Sequence, residues 1–141
     1  MAVLSDIPEI ADVIVDVSVG GFIKRDDQGR FDYIAPLPAP FNYGSVPGTV
    51  AEDGDRIDVV ILGRRIRKGT FLRLPVRGVV DFLDAGHADP KWICSEQPLT
   101  QADRLLVIGF FRAYAVAKGF LNFIRGKSGA TQYRGTFLRI G

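Results

Sequence analysis

Over residues 11–19 the chain reads Ala-Asp-Val-Ile-Val-Asp-Val-Ser-Val, with β-branched residues at nearly every second place, and Gly20-Gly21 ends the run. That alternation predicts a strand. Residues 22–24 and 31–34 flank Asp26-Asp27-Gln28-Gly29, the composition of a hairpin with its turn. The next segment, Ala35-Pro36-Leu37-Pro38-Ala39-Pro40, excludes a central strand or a helix and predicts an extended loop into Phe41-Asn42-Tyr43-Gly44. Residues 57–62 form an apolar strand. Gly63-Arg64-Arg65-Ile66-Arg67-Lys68-Gly69, read as a charged hairpin turn, leads from it to a strand over residues 70–80, and residues 92–94 add one more short strand.

After Pro98 the period changes. Thr100-Gln101-Ala102-Asp103 resembles a capping box with aspartate in the usual place of glutamate or glutamine. Leu106, Phe110, Ala113 and Ala117 recur at helical spacing, and Gly119 is a candidate stop or kink. Phe110, Phe111, Tyr114 and Phe120 read as core, and a buried Tyr114 hydroxyl would need a partner. Residues 131–140 alternate as a last strand. Many short strands followed by one late helix predict a mainly β (α+β) fold, a small barrel with helical cover.

Length and composition narrow the class. At 141 residues, with no internal repeat or low-complexity linker, the chain is expected to be one domain over 1–141. A net charge of +2 is too small to argue for nucleic acid or a membrane. The basic run Arg64-Arg65-Ile66-Arg67-Lys68 lacks interleaved aromatics, which disfavours single-strand binding. No basic leader precedes an apolar stretch, and no uncharged apolar run reaches the ~18 residues of a membrane span. The lone Cys94, beside Trp92 and Ile93, reads as a small buried residue in a reducing compartment. A cytoplasmic protein is expected.

Five aspartates in two clusters carry the chemistry: Asp53-Gly54-Asp55-Arg56-Ile57-Asp58, then Asp84-Ala85-Gly86-His87-Ala88-Asp89-Pro90-Lys91. Carboxylates gathered this densely repel one another, and hard divalent cations are a natural source of compensating charge. Asp-Gly-Asp is also a common turn sequence. Asp58, however, opens an apolar strand, where a carboxylate needs a partner. Both clusters lie at strand ends, where loops present groups on a stiff scaffold. Lys91 adds a cation able to hold a phosphate oxygen, so together they point to metal-assisted phosphoryl chemistry. His87, between small residues, reads as solvent-facing.

Phe41-Asn42-Tyr43-Gly44, Glu52-Asp53-Gly54-Asp55-Arg56-Ile57-Asp58-Val59, Gly78-Val79-Val80 and Asp84-x-Gly-x-x-Asp89-x-Lys91 together resemble the soluble family I inorganic pyrophosphatases, in order and spacing. The likeness extends over residues 13–118. It implies a closed five-stranded barrel of the oligonucleotide-binding (OB) type with a C-terminal helix outside. It also implies hydrolysis of inorganic pyrophosphate, or a related phosphoanhydride, to two phosphates by a water activated by Mg2+. Asp53, Asp58, Asp84 and Asp89 would be the metal ligands, with Asp16 standing where the family has a glutamate. Asp55 would be the general base, and Lys91, Tyr43 and Tyr114 the phosphate contacts. Bacterial relatives commonly assemble as hexamers, so a homo-oligomer is implied.

The chain departs from the family pattern where cations are expected. Arg56 replaces the proline of Asp-x-Asp-Pro-x-Asp, and Ala115 stands in place of the lysine after Tyr114. The arginine ahead of Phe-Asn-Tyr-Gly is absent, and no Lys-x-Glu pair is placed after the first strand. Lys24, Arg25, Arg64 and Lys118 are the candidate substitutes. The alternative these losses raise is a degenerate relative that binds metal and a phosphate compound with little or altered hydrolysis.

Overall fold

In a computed structural model, residues 4–27, 30–50, 52 and 54–139 are described, and of residues 22–37 only the backbone. Strands β1 (Ile10–Val17), β4 (Asn42–Val46), β5 (Ile57–Ile61), β6 (Phe71–Asp84) and β8 (Lys91–Cys94) follow one another around a closed sheet. Pairing runs β1–β4–β5–β8–β6, and β6 returns to β1 through Ile10↔Pro75 to Ile14↔Phe71. Only β5–β8 is parallel. The expected five-stranded barrel is therefore present. Strands β2 (Phe22–Asp27) and β3 (Arg30–Pro38) form a separate hairpin, while β7 (His87–Ala88) and β9 (Gln132–Leu138) both pair with β6.

Two apolar clusters hold the structure. Val13, Val15, Val59, Ile61, Leu74, Val76, Val79 and Cys94 fill the barrel. Phe41, Tyr43, Val60, Val80, Phe82 and Ile93 face outward and are covered by helix α1 (Gln101–Ile124) through Val107, Phe110, Phe111 and Tyr114. Strands β5, β8 and the end of β6 are thus buried on both faces, which is why their sequences run apolar without alternating.

The capping box holds: the Thr100 hydroxyl accepts from the Asp103 backbone N–H at 3.1 Å, and the Asp103 carboxylate accepts from the Thr100 N–H at 2.9 Å. Other expectations for the helix need correction. Its buried residues are Val107, Phe110, Phe111, Tyr114, Lys118 and Asn122; Ala113 and Phe120 are exposed, and Leu106 is 40% exposed. The helix is apolar on both sides, so periodicity alone selects the wrong stripe. By length and composition it could cross a membrane, but the face just named packs on the barrel. It does not stop at Gly119. It ends at Arg125, where Gly126 takes the left-handed conformation (φ 71°) that suits a residue without a side chain.

Two loop expectations also change. Pro36 and Pro38 lie within β3, which is tolerated because that hairpin stands outside the barrel sheet. Residues 63–69 do not form a hairpin turn, because β5 and β6 are not partners; β8 lies between them.

The Phe41–Gly44 stretch is explained residue by residue. Phe41 packs under the helix. Asn42, fully buried, accepts from the Val19 N–H (3.2 Å) and the Ile66 N–H (3.0 Å) and donates to the Arg64 carbonyl (2.8 Å), tying the 63–69 loop to the barrel. Gly44 crosses so close to the Ile14 carbonyl that no Cβ fits. Gly44→Ala is expected to cost about 2–3 kcal/mol through overpacking; an unshifted urea-unfolding midpoint would refute this. Burial pushes the Cys94 thiol up to about 12. Iodoacetamide at neutral pH should therefore label Cys94 only after denaturation, as read by intact-mass spectrometry.

Candidate active site

The barrel register brings the central charges together. In the parallel β5–β8 pair, Asp58 sits opposite Lys91, and in the β4–β5 pair Ser45 sits opposite Asp58. Lys91 has no solvent exposure. Its Nζ donates to Asp58 Oδ2 at 2.6 Å and to Asp89 Oδ2 at 2.7 Å. The Tyr43 hydroxyl donates to the same Asp58 oxygen at 3.0 Å. Three rings surround the ammonium, with centroids at 6.0 Å (Tyr43), 5.7 Å (Phe82) and 5.8 Å (Tyr114), close enough for cation–π attraction.

Burial alone would lower the Lys91 pKa, but Asp58 and Asp89 outweigh it and hold the ammonium well above its ordinary value. Burial, reinforced by the Asp58 charge, likewise pushes the Tyr43 phenol up, and burial does the same for Tyr114. Both tyrosines are neutral hydrogen-bond donors at physiological pH. The Tyr114 hydroxyl is fully buried and has no partner among the described residues.

Asp84 stands at the end of β6, beside this cluster. Ala85 (φ 48°) and Gly86 (φ 85°) make a two-residue turn that brings Asp84 opposite His87. The Asp84 carboxylate accepts from Asn122 Nδ2 at 2.7 Å, and Lys118 Nζ lies 3.9 Å from its second oxygen. Asn122 Nδ2 also reaches the Thr131 hydroxyl, which accepts from the Ala85 N–H. Asn122 went unread in the sequence. Its signal was the recurrence of Tyr114, Lys118 and Asn122 every fourth residue, which puts polar groups on the buried face of α1.

Asp16 keeps contact with solvent, yet the surrounding wall desolvates its carboxyl and raises its pKa. A hydrogen bond with Ser45 opposes the shift, the Asp58 carboxylate adds to it, and Arg56 and Lys68 oppose it. Asp16 therefore shares the electrostatic neighbourhood of Asp58. Asp55 lies half-buried in the loop before β5. Asp53 lies outside the described residues. His87 is exposed, 3.7 Å from Glu52, as expected for a solvent-facing histidine.

Among the described residues no three His, Cys, Asp or Glu side chains converge on one point as a metal cage. Lys91 separates Asp58 from Asp89, and Asn122 holds Asp84. In donor chemistry the set still fits a hard divalent cation, since all the carboxylates supply oxygen. Neither hydrogen bond to Asp58 from Tyr43 and Lys91 falls on Oδ1. Burial is the main cause of the raised Asp16 pKa and the Asp58 carboxylate adds to it, so a cation near both would favour the ionised form.

The sequence profile of the family described as inorganic pyrophosphatase matches residues 26–108. The inorganic pyrophosphatase of Haemophilus influenzae is 45% identical over 68 residues, covering 46% of this chain and 39% of that protein. The soluble inorganic pyrophosphatase of Zea mays is 31% identical over 103 residues, covering 66% of this chain and 48% of that protein. The chain thus spans less than half the length of these two relatives. In structure it resembles the inorganic pyrophosphatase of Thermus thermophilus, with TM-score 0.69, 22% identity, and coverage of 99% of this chain and 88% of that one. It also resembles that of Neisseria gonorrhoeae, with TM-score 0.66, 24% identity, and coverage of 92% and 83%. These likenesses agree on the barrel and its outer helix, and since the profile match extends over more than half the sequence, the chain belongs to the inorganic pyrophosphatase family.

Proposed function

We propose that this chain hydrolyses inorganic pyrophosphate to two phosphates in a reaction dependent on a divalent cation, for which magnesium is the expected choice. The observation that carries the reading is the meeting of Asp58, Asp89, Lys91 and Tyr43 beside Asp84 and Asp16, at strand ends in the family's order. Asp53, Asp58, Asp84, Asp89 and Asp16 are the residues that would hold the cation. When bound, it neutralises substrate charge and lowers the pKa of water.

The chain's own residues do the rest. Asp55 takes the proton from the attacking water as the water oxygen bonds to one phosphorus. The bridging P–O bond breaks, and the bridging oxygen leaves on the other phosphate. Tyr114, kept neutral by burial, is a donor toward a phosphate oxygen; Tyr43, whose one proton goes to Asp58, contacts phosphate only by exchanging that hydrogen bond. Lys91 contacts phosphate only while also holding Asp58 and Asp89, so its first role is to keep two buried carboxylates ionised and in place.

The same reading assigns the chain to the cytoplasm as one domain over 1–141, acting on pyrophosphate and not on nucleic acid or a membrane. Association into a homo-oligomer is supported by the exposed apolar side of α1, where Val116, Phe120 and Phe123 are uncovered.

Asp55→Asn is expected to lower magnesium-dependent phosphate release by about 10²–10⁴-fold with an unchanged melting temperature. A colorimetric phosphate assay with and without chelator checks this; turnover indifferent to chelator, or unchanged in the variant, would remove the reading. Lys91→Met is expected to destabilise by about 3–5 kcal/mol, because it strands two buried carboxylates. The folded-state pKa of Lys91 is raised, so its stabilisation is complete below the ordinary lysine value of 10.5 and is lost as pH rises through the folded value. The gap between wild type and variant in urea unfolding should hold to that pH and narrow only in more alkaline solution.

A further inference from the structure

The turn that carries Asp84 is held in shape from outside. Ala85 (φ 48°) and Gly86 (φ 85°) both take the left-handed conformation, which glycine adopts freely and alanine only at a cost. The contacts that fix the turn come from the segment after α1. That helix ends in two backbone hydrogen bonds, from the Gly126 N–H to the Phe123 carbonyl at 3.1 Å and from the Lys127 N–H to the Asn122 carbonyl at 2.9 Å, a pattern that reverses the chain. The returning segment lies on the turn. The Ala130 carbonyl accepts from the Gly86 N–H at 2.9 Å, and the Thr131 hydroxyl accepts from the Ala85 N–H at 3.1 Å. Gly129 passes so close that a Cβ there would stand 2.6 Å from the Ala85 carbonyl.

Asn122 joins this segment to the carboxylate. It is buried in the last turn of α1, and its Nδ2 donates to Asp84 Oδ1 at 2.7 Å and to the Thr131 hydroxyl at 2.9 Å. An ionised carboxylate can only accept, which fixes the end of the amide that faces it. The amide oxygen is then left buried without a partner among the described residues. An unmade bond of that kind costs stability, so what the amide contributes lies on its nitrogen side. Lys118 Nζ, 3.9 Å from the other Asp84 oxygen, is beyond hydrogen-bond length, so the amide sets the direction of the carboxylate. Being neutral, it also leaves the charge of Asp84 in place.

We infer that Asn122 is a positioning residue: with Thr131 it clasps the turn over residues 84–87 and aims the Asp84 carboxylate, and so sets how tightly the site holds its divalent cation. This rests on the reading above, in which Asp84 is one of the residues that hold the cation.

The test is magnesium binding to the substrate-free protein, measured by calorimetry. Asn122→Leu, which loses the amide, is expected to weaken the affinity by about 10–100-fold, the usual effect of removing a group that orients a metal ligand. Thr131→Val is expected to weaken it as well, and Thr131→Ser, which keeps the hydroxyl, to stay close to wild type. Melting in chelator confirms that each variant is folded, and the Thr131 pair carries the test if Asn122→Leu is not. Wild-type affinity in Asn122→Leu, or Thr131→Ser binding no better than Thr131→Val, overturns the Asn122 assignment alone. Unchanged affinity in Asp84→Asn removes Asp84 from the cation site and this inference with it. A wild-type protein that binds no magnesium overturns both the pyrophosphate reading and the inference.

Discussion

Everything at the candidate site depends on one lysine with no access to water. Moving an ammonium out of water costs several kcal/mol, and so does each carboxylate it meets. At 2.6 and 2.7 Å the contacts of Lys91 with Asp58 and Asp89 are short enough to offset that cost, and three aromatic faces complete the enclosure. Two carboxylates against one ammonium leave a net negative charge in a wall of low dielectric. The Asp58 carboxylate adds to the rise that burial causes in the Asp16 pKa. A site with surplus carboxylate charge favours a hard cation, and a cation in turn lets a phosphate anion approach carboxylates that would otherwise repel it.

The geometry of that contact is set by strand register. Asp58 and Lys91 are neighbours because β5 and β8 run parallel with Asp58 opposite Lys91, and a slip of one residue would turn either side chain to the opposite face. Register in turn follows from barrel closure. Gly44 lets β4 lie tightly on β1, Asn42 clamps the 63–69 loop, and a bulge in the β6–β8 pairing at Arg77 bends β6 where its other edge passes from β1 to β9. Four consecutive residues, Phe41 to Gly44, thus join the helix, the loop, the site and the closure.

Strands were legible in the sequence because alternation and turn residues are local signals; β1, β5, β8 and the capped start of α1 all lie close to where they were expected. What was not legible depended on partners distant in sequence. An apolar helix offers two stripes, and only the barrel decides which is covered, so Phe120 was assigned to the core although it faces solvent. The charged loop over residues 63–69 looked like a hairpin because nothing local reveals that β8 inserts between β5 and β6. The aspartates were recognisable as a set, but not the fact that Lys91 would separate Asp58 from Asp89, or that Asn122 would hold Asp84.

Charge is also divided along the chain in a way that suits this architecture. After Asp103 there are seven lysines and arginines and no aspartate or glutamate. All the site's carboxylates therefore come from the barrel strands and their loops, which also carry Lys91, while the helix adds Lys118. The site lies on the seam between them, where Asp84 at the end of β6 meets Lys118 on α1. A cation-bound diphosphate has the same division of charge, positive where it meets carboxylates and negative at its phosphate oxygens. At that seam a carboxylate and an ammonium face one another, an arrangement that favours a ligand carrying both signs of charge over one carrying a single sign.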